Sequence, residues 1–445
     1  MPGGTWTSQN KVRPGVYIRF TSTQGLGLTV GERGVVAICE PMSWGPVGSV
    51  QTVEAGADTT PFCGYDITSP NARFLQQIFL GTNRTAGASK VLLYRPSASG
   101  SAQAKATAGA LTATALYPGV RGNAISIVVT EEADEETFTV TTVVDGSAVD
   151  EQTGIAAVSD LEPNAWVSWS GTGAVTATAG TDLSGGSDGT VETAAYSAFL
   201  GVIEPYQFDI LIYDGGDATV QAAMTSFVQR MNEENGQYCQ LVAANLTNPD
   251  SRYVVNVMSP VTLSDGTELT AQQVCWWVGG AEAGAMYNES LTNATYPNAV
   301  STTMMTNAQY IAALNAGQLV LSADNGRVYV EQDINSLVTY TTDITEVYRY
   351  NRTMRLANTI ANDLYRQFSA NYLGVVDNNA QGRSMFQAAV VGYLLDIQAN
   401  NGIQNFTAED VTVEPGEAIN AIVVNLSVQP VGSVEKVYIT ISMDA

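Results

Sequence analysis

The hydrophobic pattern of this chain changes period twice, near residue 97 and again near residue 190. That double switch limits the folds open to it. Before the first switch the pattern is that of a layered α/β unit. Residues 34–39 (GVVAIC) form an uninterrupted apolar run, as a strand buried on both faces requires. Ser69 then offers a helix cap, with Pro70 in the first turn, where a missing N–H costs nothing. Phe74, Leu75, Ile78 and Phe79 give that helix one apolar face, and Gly81 ends it. Residues 90–94 (KVLLY) are the next buried strand. Between the switches the chain is rich in Ala, Thr, Gly and Ser and alternates with period two. Examples are ISIVVT (125–130), TFTVTTVV (137–144), WVSW (166–169) and AVTATAG (174–180), with a hairpin signal at Asp145–Gly146.

After the Gly-rich run Ser184–Gly189 the α/β pattern resumes. Thr190 opens a helix, and FDILIY (208–213), QLVAAN (240–245) and YVVNV (253–257) are strands. Asp217 caps a helix carrying Val220, Met224, Phe227, Val228 and Met231 on one face. Thr270 with Gln273, and Thr306 with Gln309, are capping boxes for two more helices. Asn325–Gly326 marks a tight hairpin. Residues 344–372 and 380–398 are long helices, followed by strands at 419–428 and 434–443. The expected fold class is therefore a multidomain α+β protein. A layered α/β core is interrupted by a small inserted β domain and followed by a C-terminal helical-plus-strand domain. The boundaries read as an N-terminal arm (1–25), core (26–96), inserted β domain (97–189), core (190–342) and C-terminal domain (343–445).

Composition excludes much chemistry. The 445 residues contain no histidine, which removes Ser–His–Asp and Cys–His triads and the commonest metal ligand. The four cysteines, Cys39, Cys63, Cys239 and Cys275, form no C-x-x-C pair and suit neither a zinc site nor a disulfide framework. The net charge of −24 argues against nucleic acid or an anionic membrane as the main partner. It is unevenly placed: residues 122–229 hold seventeen acidic side chains and no Lys or Arg. The first fifteen residues carry no apolar signal core, and no apolar run is long enough to span a bilayer. These features predict synthesis and folding in the cytoplasm.

Three candidate sites deserve weighing. Asp209, Asp214 and Asp217 are expected around the carboxyl end of a buried strand, where α/β sheets bind ligands, and grouped carboxylates are able to hold Mg²⁺. Turn and cap roles explain them more simply, so no metal and no catalytic residue is expected. Trp276 and Trp277 share a helix with Gly279, Gly280 and Gly284; close packing accounts for that better than a sugar site. Arg349, Arg352 and Arg355, spaced by three, predict a positive stripe facing an acidic partner or another copy.

The chain ends carry the clearest signal. Val16, Ile18 and Phe20 alternate with Tyr17 and Arg19. At the other end Val437, Ile439, Ile441 and Met443 alternate with Tyr438, Thr440 and Ser442, following Val434. Both are one-faced strands, and the fold between them reads as complete without the first. A strand added to a neighbour's sheet supplies main-chain hydrogen bonds and side-chain pockets. If each end reaches a different neighbour, the contacts are heterologous and a filament grows. An envelope-associated glycan-binding surface protein is the competing class; it predicts a secretion signal.

Three stretches resemble the tail sheath proteins of contractile phage tails and phage-like bacteriocin particles, of the type found in Gram-positive hosts. They are GGTWTSQNKVRPGVYIRF (3–20), ADNGRVYVEQDINSLVTYT (323–341) and NLSVQPVGSVEKVYITISM (425–443). The resemblance implies a non-enzymatic subunit, without cofactor, that polymerises with its own kind around an inner tail tube between baseplate and tail terminator. It implies assembly in the bacterial host cytoplasm and contraction that drives the tube through a target envelope. It also implies that Val16–Phe20 and Val434–Met443 link neighbours, that the C-terminal domain faces the tube, and that the inserted domain faces outward.

Overall fold

The computed structural model describes residue 28, residues 30–133 and residues 136–443, together with the backbone of two short strands, Gly3–Gly4 and Val16–Tyr17. It is a multidomain α+β fold. By contact it separates into two compact units, one of residues 31–362 and 430–445, the other of residues 1–30 and 363–429.

The larger unit is built on a seven-stranded sheet. Its order is Gln318–Leu319, Val254–Val257, Gln240–Ala244, Ile210–Tyr213, Val35–Cys39, Lys90–Tyr94 and Val50–Glu54. Every neighbouring pair is parallel except the last, where Val50–Glu54 runs antiparallel along Lys90–Tyr94. The apolar runs form the centre because a parallel strand between two helical layers buries both faces. Alternation assigns the faces. Val36 and Ile38 point to a layer containing Arg73–Leu80 and Ala271–Gly284. Ala37 and Cys39 point to the opposite layer, with Thr193–Ile203 and Ala218–Glu233. The helix placed at Thr190 by sequence begins three residues later.

The Ala271–Gly284 helix lies unusually close to the sheet and to Arg73–Leu80. A Cβ at Gly280 would strike the Ile78 carbonyl, and one at Gly279 the Ile212 side chain. Trp277 is fully buried, stacks flat on Tyr296 at 3.9 Å, and donates its indole N–H to the Gly81 carbonyl (2.6 Å). The two tryptophans therefore belong to the core.

Residues 105–182 form two antiparallel sheets. One orders Val167–Gly171, Leu111–Ala115 and Lys105–Ala108; the other orders Ser147–Ile155, Phe138–Val144, Ile125–Glu131 and Thr178–Asp182. Their inward residues, including Ile125, Ile127, Val140 and Val167, share a separate core with Trp44. Asp145 and Gly146 both have positive φ, as a tight hairpin turn demands. The chain leaves and rejoins the α/β core side by side: Ser99 and Thr190 exchange both backbone hydrogen bonds (2.8 and 2.9 Å), and Ala102 pairs Ser187.

The smaller unit contains Ala380–Ala399 and a hairpin of Val411–Pro415 with Ile422–Leu426. Phe368, Tyr372 and Phe386 pack edge-on and stacked at 5.0–6.0 Å. The expected helix over 344–372 is in fact a 3₁₀ turn, Glu346–Arg349, then a helix, Asn351–Asn371.

Candidate functional site

The expected C-terminal strand is in neither helix nor strand. Residues 431–443 follow the last strand, Gln429–Pro430. Val434 is 85% exposed, Tyr438 90% and Met443 92%; Val437, Ile439 and Ile441 are exposed too. Thr440 is likewise exposed. A one-faced strand needs a sheet edge, and this segment has found none among the described residues of its own chain. At the N-terminus the backbone of Val16–Tyr17 pairs in parallel with Gly3–Gly4. Ile18, Arg19 and Phe20 lie outside the described residues.

The root of the C-terminal arm is clasped by polar contacts. The Glu435 carboxylate accepts from Thr292 Oγ1 (2.9 Å) and from Gln332 Nε2 (2.7 Å). Arg352 donates to Ser433 Oγ (2.9 Å). Beneath the root lies a cleft of about 470 Å³ whose lining includes Asp333, Arg352, Ser433 and Glu435.

The arginine stripe needs correction. Arg355 was expected on a partner-facing surface, but it is fully buried and pairs within its own chain. One guanidinium nitrogen bonds Glu282; the other donates to Asp333 Oδ2 (2.7 Å) and to the Glu289 carbonyl (2.7 Å). Asn351 donates to Glu282 Oε1 (2.9 Å), and the Leu291 N–H donates to Asp333 Oδ2 (2.9 Å). Arg349 sits in the 3₁₀ turn, half-buried, donating to the Leu314 carbonyl and to Tyr340 Oη (3.4 Å). The three arginines therefore do not share a face. Burial, then the Asp333 charge, push the Glu282 carboxyl well above the ordinary carboxylate range. Burial also opposes the Asp333 charge, but Arg355 and the donors around it outweigh that and hold Asp333 low.

The three aspartates are also dispersed. Asp209 lies at the amino end of its strand, not the carboxyl end, accepting from Gly34 and Val35 N–H (2.9 and 3.0 Å). Asp214, at the carboxyl end, accepts from Trp276 Nε1 (2.8 Å), and burial pushes its carboxyl up. Asp217 caps its helix through Thr219 and Val220 N–H (2.7 and 3.0 Å). Among the described residues no three Cys, Asp or Glu side chains gather as a metal-binding group. The four cysteines are free and buried. No helix among the described residues is long and apolar enough to cross a membrane.

An exposed apolar arm on an α/β core that carries an inserted β-sandwich describes a structural, assembling protein. Models of the phage tail sheath family match it in four consecutive stretches. These are the tail sheath protein Gp18 domain III N-terminal region (33–95), the β-sandwich domain (98–188), the central domain (189–336) and the C-terminal domain (343–444). The XkdK protein of the phage-like element PBSX of Bacillus subtilis is 30% identical over the full length of both chains. The uncharacterized Bacillus subtilis protein YqbK is 33% identical over the same extent. The crystal structure of a sheath tail protein from Desulfitobacterium hafniense superposes with a TM-score of 0.85 at 39% identity, covering 96% of this chain and 99% of that one. The sheath of an extracellular contractile injection system, in its contracted state, shares the fold at 12% identity and a TM-score of 0.57, covering 98% and 99%.

This chain belongs to the phage tail sheath protein family. It is a structural subunit of a contractile tail sheath, a component of phage tails or phage-like particles.

Proposed function

We propose that the subunit polymerises around an inner tail tube and is tied to its neighbours through its two ends. Val434–Met443 reaches the sheet edge of another copy, and the segment around Val16–Phe20 reaches a third. The observation that carries this reading is the alternating apolar arm left exposed from Val434 to Met443. Isolated, that arm offers several large apolar side chains to water; added to a neighbour's sheet it buries one face and pairs its backbone. Because the two ends contact different surfaces of different copies, the array grows as a helix or stacked rings and does not close on itself.

On this reading the sheath contracts while the arms hold it together, and the tube is driven through a target envelope. Baseplate and tail terminator bound the array at its two ends, and assembly takes place in the bacterial host cytoplasm. Arg349 and Arg352 remain the candidates to face the tube or another subunit, while Arg355 is committed to its internal pair. The acid-rich sandwich faces outward, where like charge keeps particles apart.

Truncation after Gly432 tests the linking role. The expected product is a folded, soluble monomer that forms no tubes under negative-stain electron microscopy. Normal tubes from that truncation would overturn the reading. Separately, Arg349→Glu with Arg352→Glu is expected to weaken co-assembly with the tube protein; unchanged co-sedimentation would remove these residues from the interface.

A further inference from the structure

The buried cluster under the arm root has an unbalanced charge count. Glu282, Asp333 and Arg355 are 0%, 1% and 0% exposed. One guanidinium thus faces two buried carboxyls. A second buried anion without a cation is strongly unfavourable. The hydrogen bonding points the same way. Asp333 Oδ1 is a buried acceptor that finds no hydrogen-bond partner among the described residues. A proton on Glu282 turns that carboxyl into a donor beside Asp333, which shares the Arg355 guanidinium with it.

The cluster is wired to the arm. The Asp333 backbone N–H donates to Thr292 Oγ1 (2.9 Å), and that hydroxyl donates to Glu435 Oε1 (2.9 Å). Gln332, the residue before Asp333, holds the other Glu435 oxygen. Asp333 also borders the cleft beneath the root, which gives protons a route to the cluster. The groups facing Glu282 are Asp333, Arg355 and the neutral Asn351; Arg352, from the same helix as Arg355, acts on Asp333.

We infer that Glu282 holds one proton shared with Asp333, and that this proton keeps the arm root clasped to the core. Loss of the proton places two like charges side by side. Asp333 and Glu282 then compete for Arg355, the 332–333 backbone shifts, and the Thr292–Glu435–Gln332 clasp loosens. The clasp exists within a single chain; its value to assembly rests on the linking-arm reading.

Because all four native cysteines are buried, a spin label placed at Val437→Cys reports selectively on the arm. In isolated subunits the label is expected to become several-fold more mobile as pH rises from below 4.5 through the raised Glu282 value. Glu282→Gln, which keeps a donor without a titrating proton, is expected to abolish that rise. Thr292→Val removes the hydroxyl that joins the Asp333 backbone N–H to Glu435 and leaves the Glu282, Asp333 and Arg355 side chains in place; its label is expected to be mobile at every pH. A pH-independent label in the parent chain, an undiminished rise in Glu282→Gln, or a tight label in Thr292→Val would each overturn the inference. Tube formation, scored separately by microscopy, tests the linking role of the arm, so the two ideas fail independently.

Discussion

Arg355 shows what a single buried charge does to this fold. Arg355→Ala leaves two carboxyls in the interior without a cation and is expected to destabilise the larger unit by about 3–5 kcal/mol in urea unfolding. Glu282→Gln is expected to cost far less. Glu282 is held above its ordinary value, so its contribution is complete below pH 4.5 and is lost as pH rises through the raised value. Asp333 has the opposite sign: held low, it contributes above pH 3.8 and loses that contribution as pH falls through the lowered value. The urea midpoint of the parent chain should therefore decline on the alkaline side, and that decline should be smaller in Glu282→Gln. The sequence displayed this cluster poorly. Three arginines spaced by three look like a stripe, yet each step of three falls about 60° short of a full turn. Arg349 also precedes the helix, which begins at Asn351. The usable clue was Glu282 itself, a lone charge in the apolar, Gly-rich run WWVGGAEAGA.

Secondary structure was legible wherever burial was complete. The five strands Val35–Cys39, Lys90–Tyr94, Ile210–Tyr213, Gln240–Ala244 and Val254–Val257 are apolar runs because both faces are covered. Val50–Glu54 carries no such apolar run because it is an edge strand with only Val53 buried. Val411–Pro415 is equally silent in the sequence, a short two-stranded hairpin with only Val411 buried. The arm from Val434 to Met443 has the alternation of a strand but no strand, since strand formation requires a partner edge. The close approach of Ala271–Gly284 to Arg73–Leu80 yields a prediction at this scale. Gly280→Ala must push the two helices apart against the Ile78 carbonyl and is expected to cost about 1–3 kcal/mol or more, read as a lowered Tm. The same substitution at Gly201, where a Cβ meets open space, should leave Tm unchanged or slightly raised.

At the scale of the whole molecule, the sandwich and the α/β core meet through specific side-chain contacts. Arg121 donates Nε–H to the Gly64 carbonyl (2.8 Å), stacks on Tyr65 at 4.2 Å and pairs with Asp145 (2.7 Å). Trp44 reaches from the core segment onto Tyr117 and Trp166 at 5.3 and 4.9 Å. Replacing residues 101–188 with a tight Asn–Gly turn is expected to leave a cooperatively folding α/β core with a reduced Tm, measured by circular dichroism. A chain that no longer melts cooperatively would mean that the sandwich is needed for the core to fold. The side-by-side crossings at Ser99 and Thr190 have a wider consequence. Closing a loop costs free energy that grows only slowly with its length, and here the closure is made at the junction, where Ser99 pairs Thr190, Ala102 pairs Ser187 and Lys105 pairs Ser184. The core therefore senses two chain ends about one strand spacing apart, roughly 5 Å, whatever lies beyond them. The junction is a socket: an inserted module of another size, joined at the same pairs, would leave the sheet unchanged.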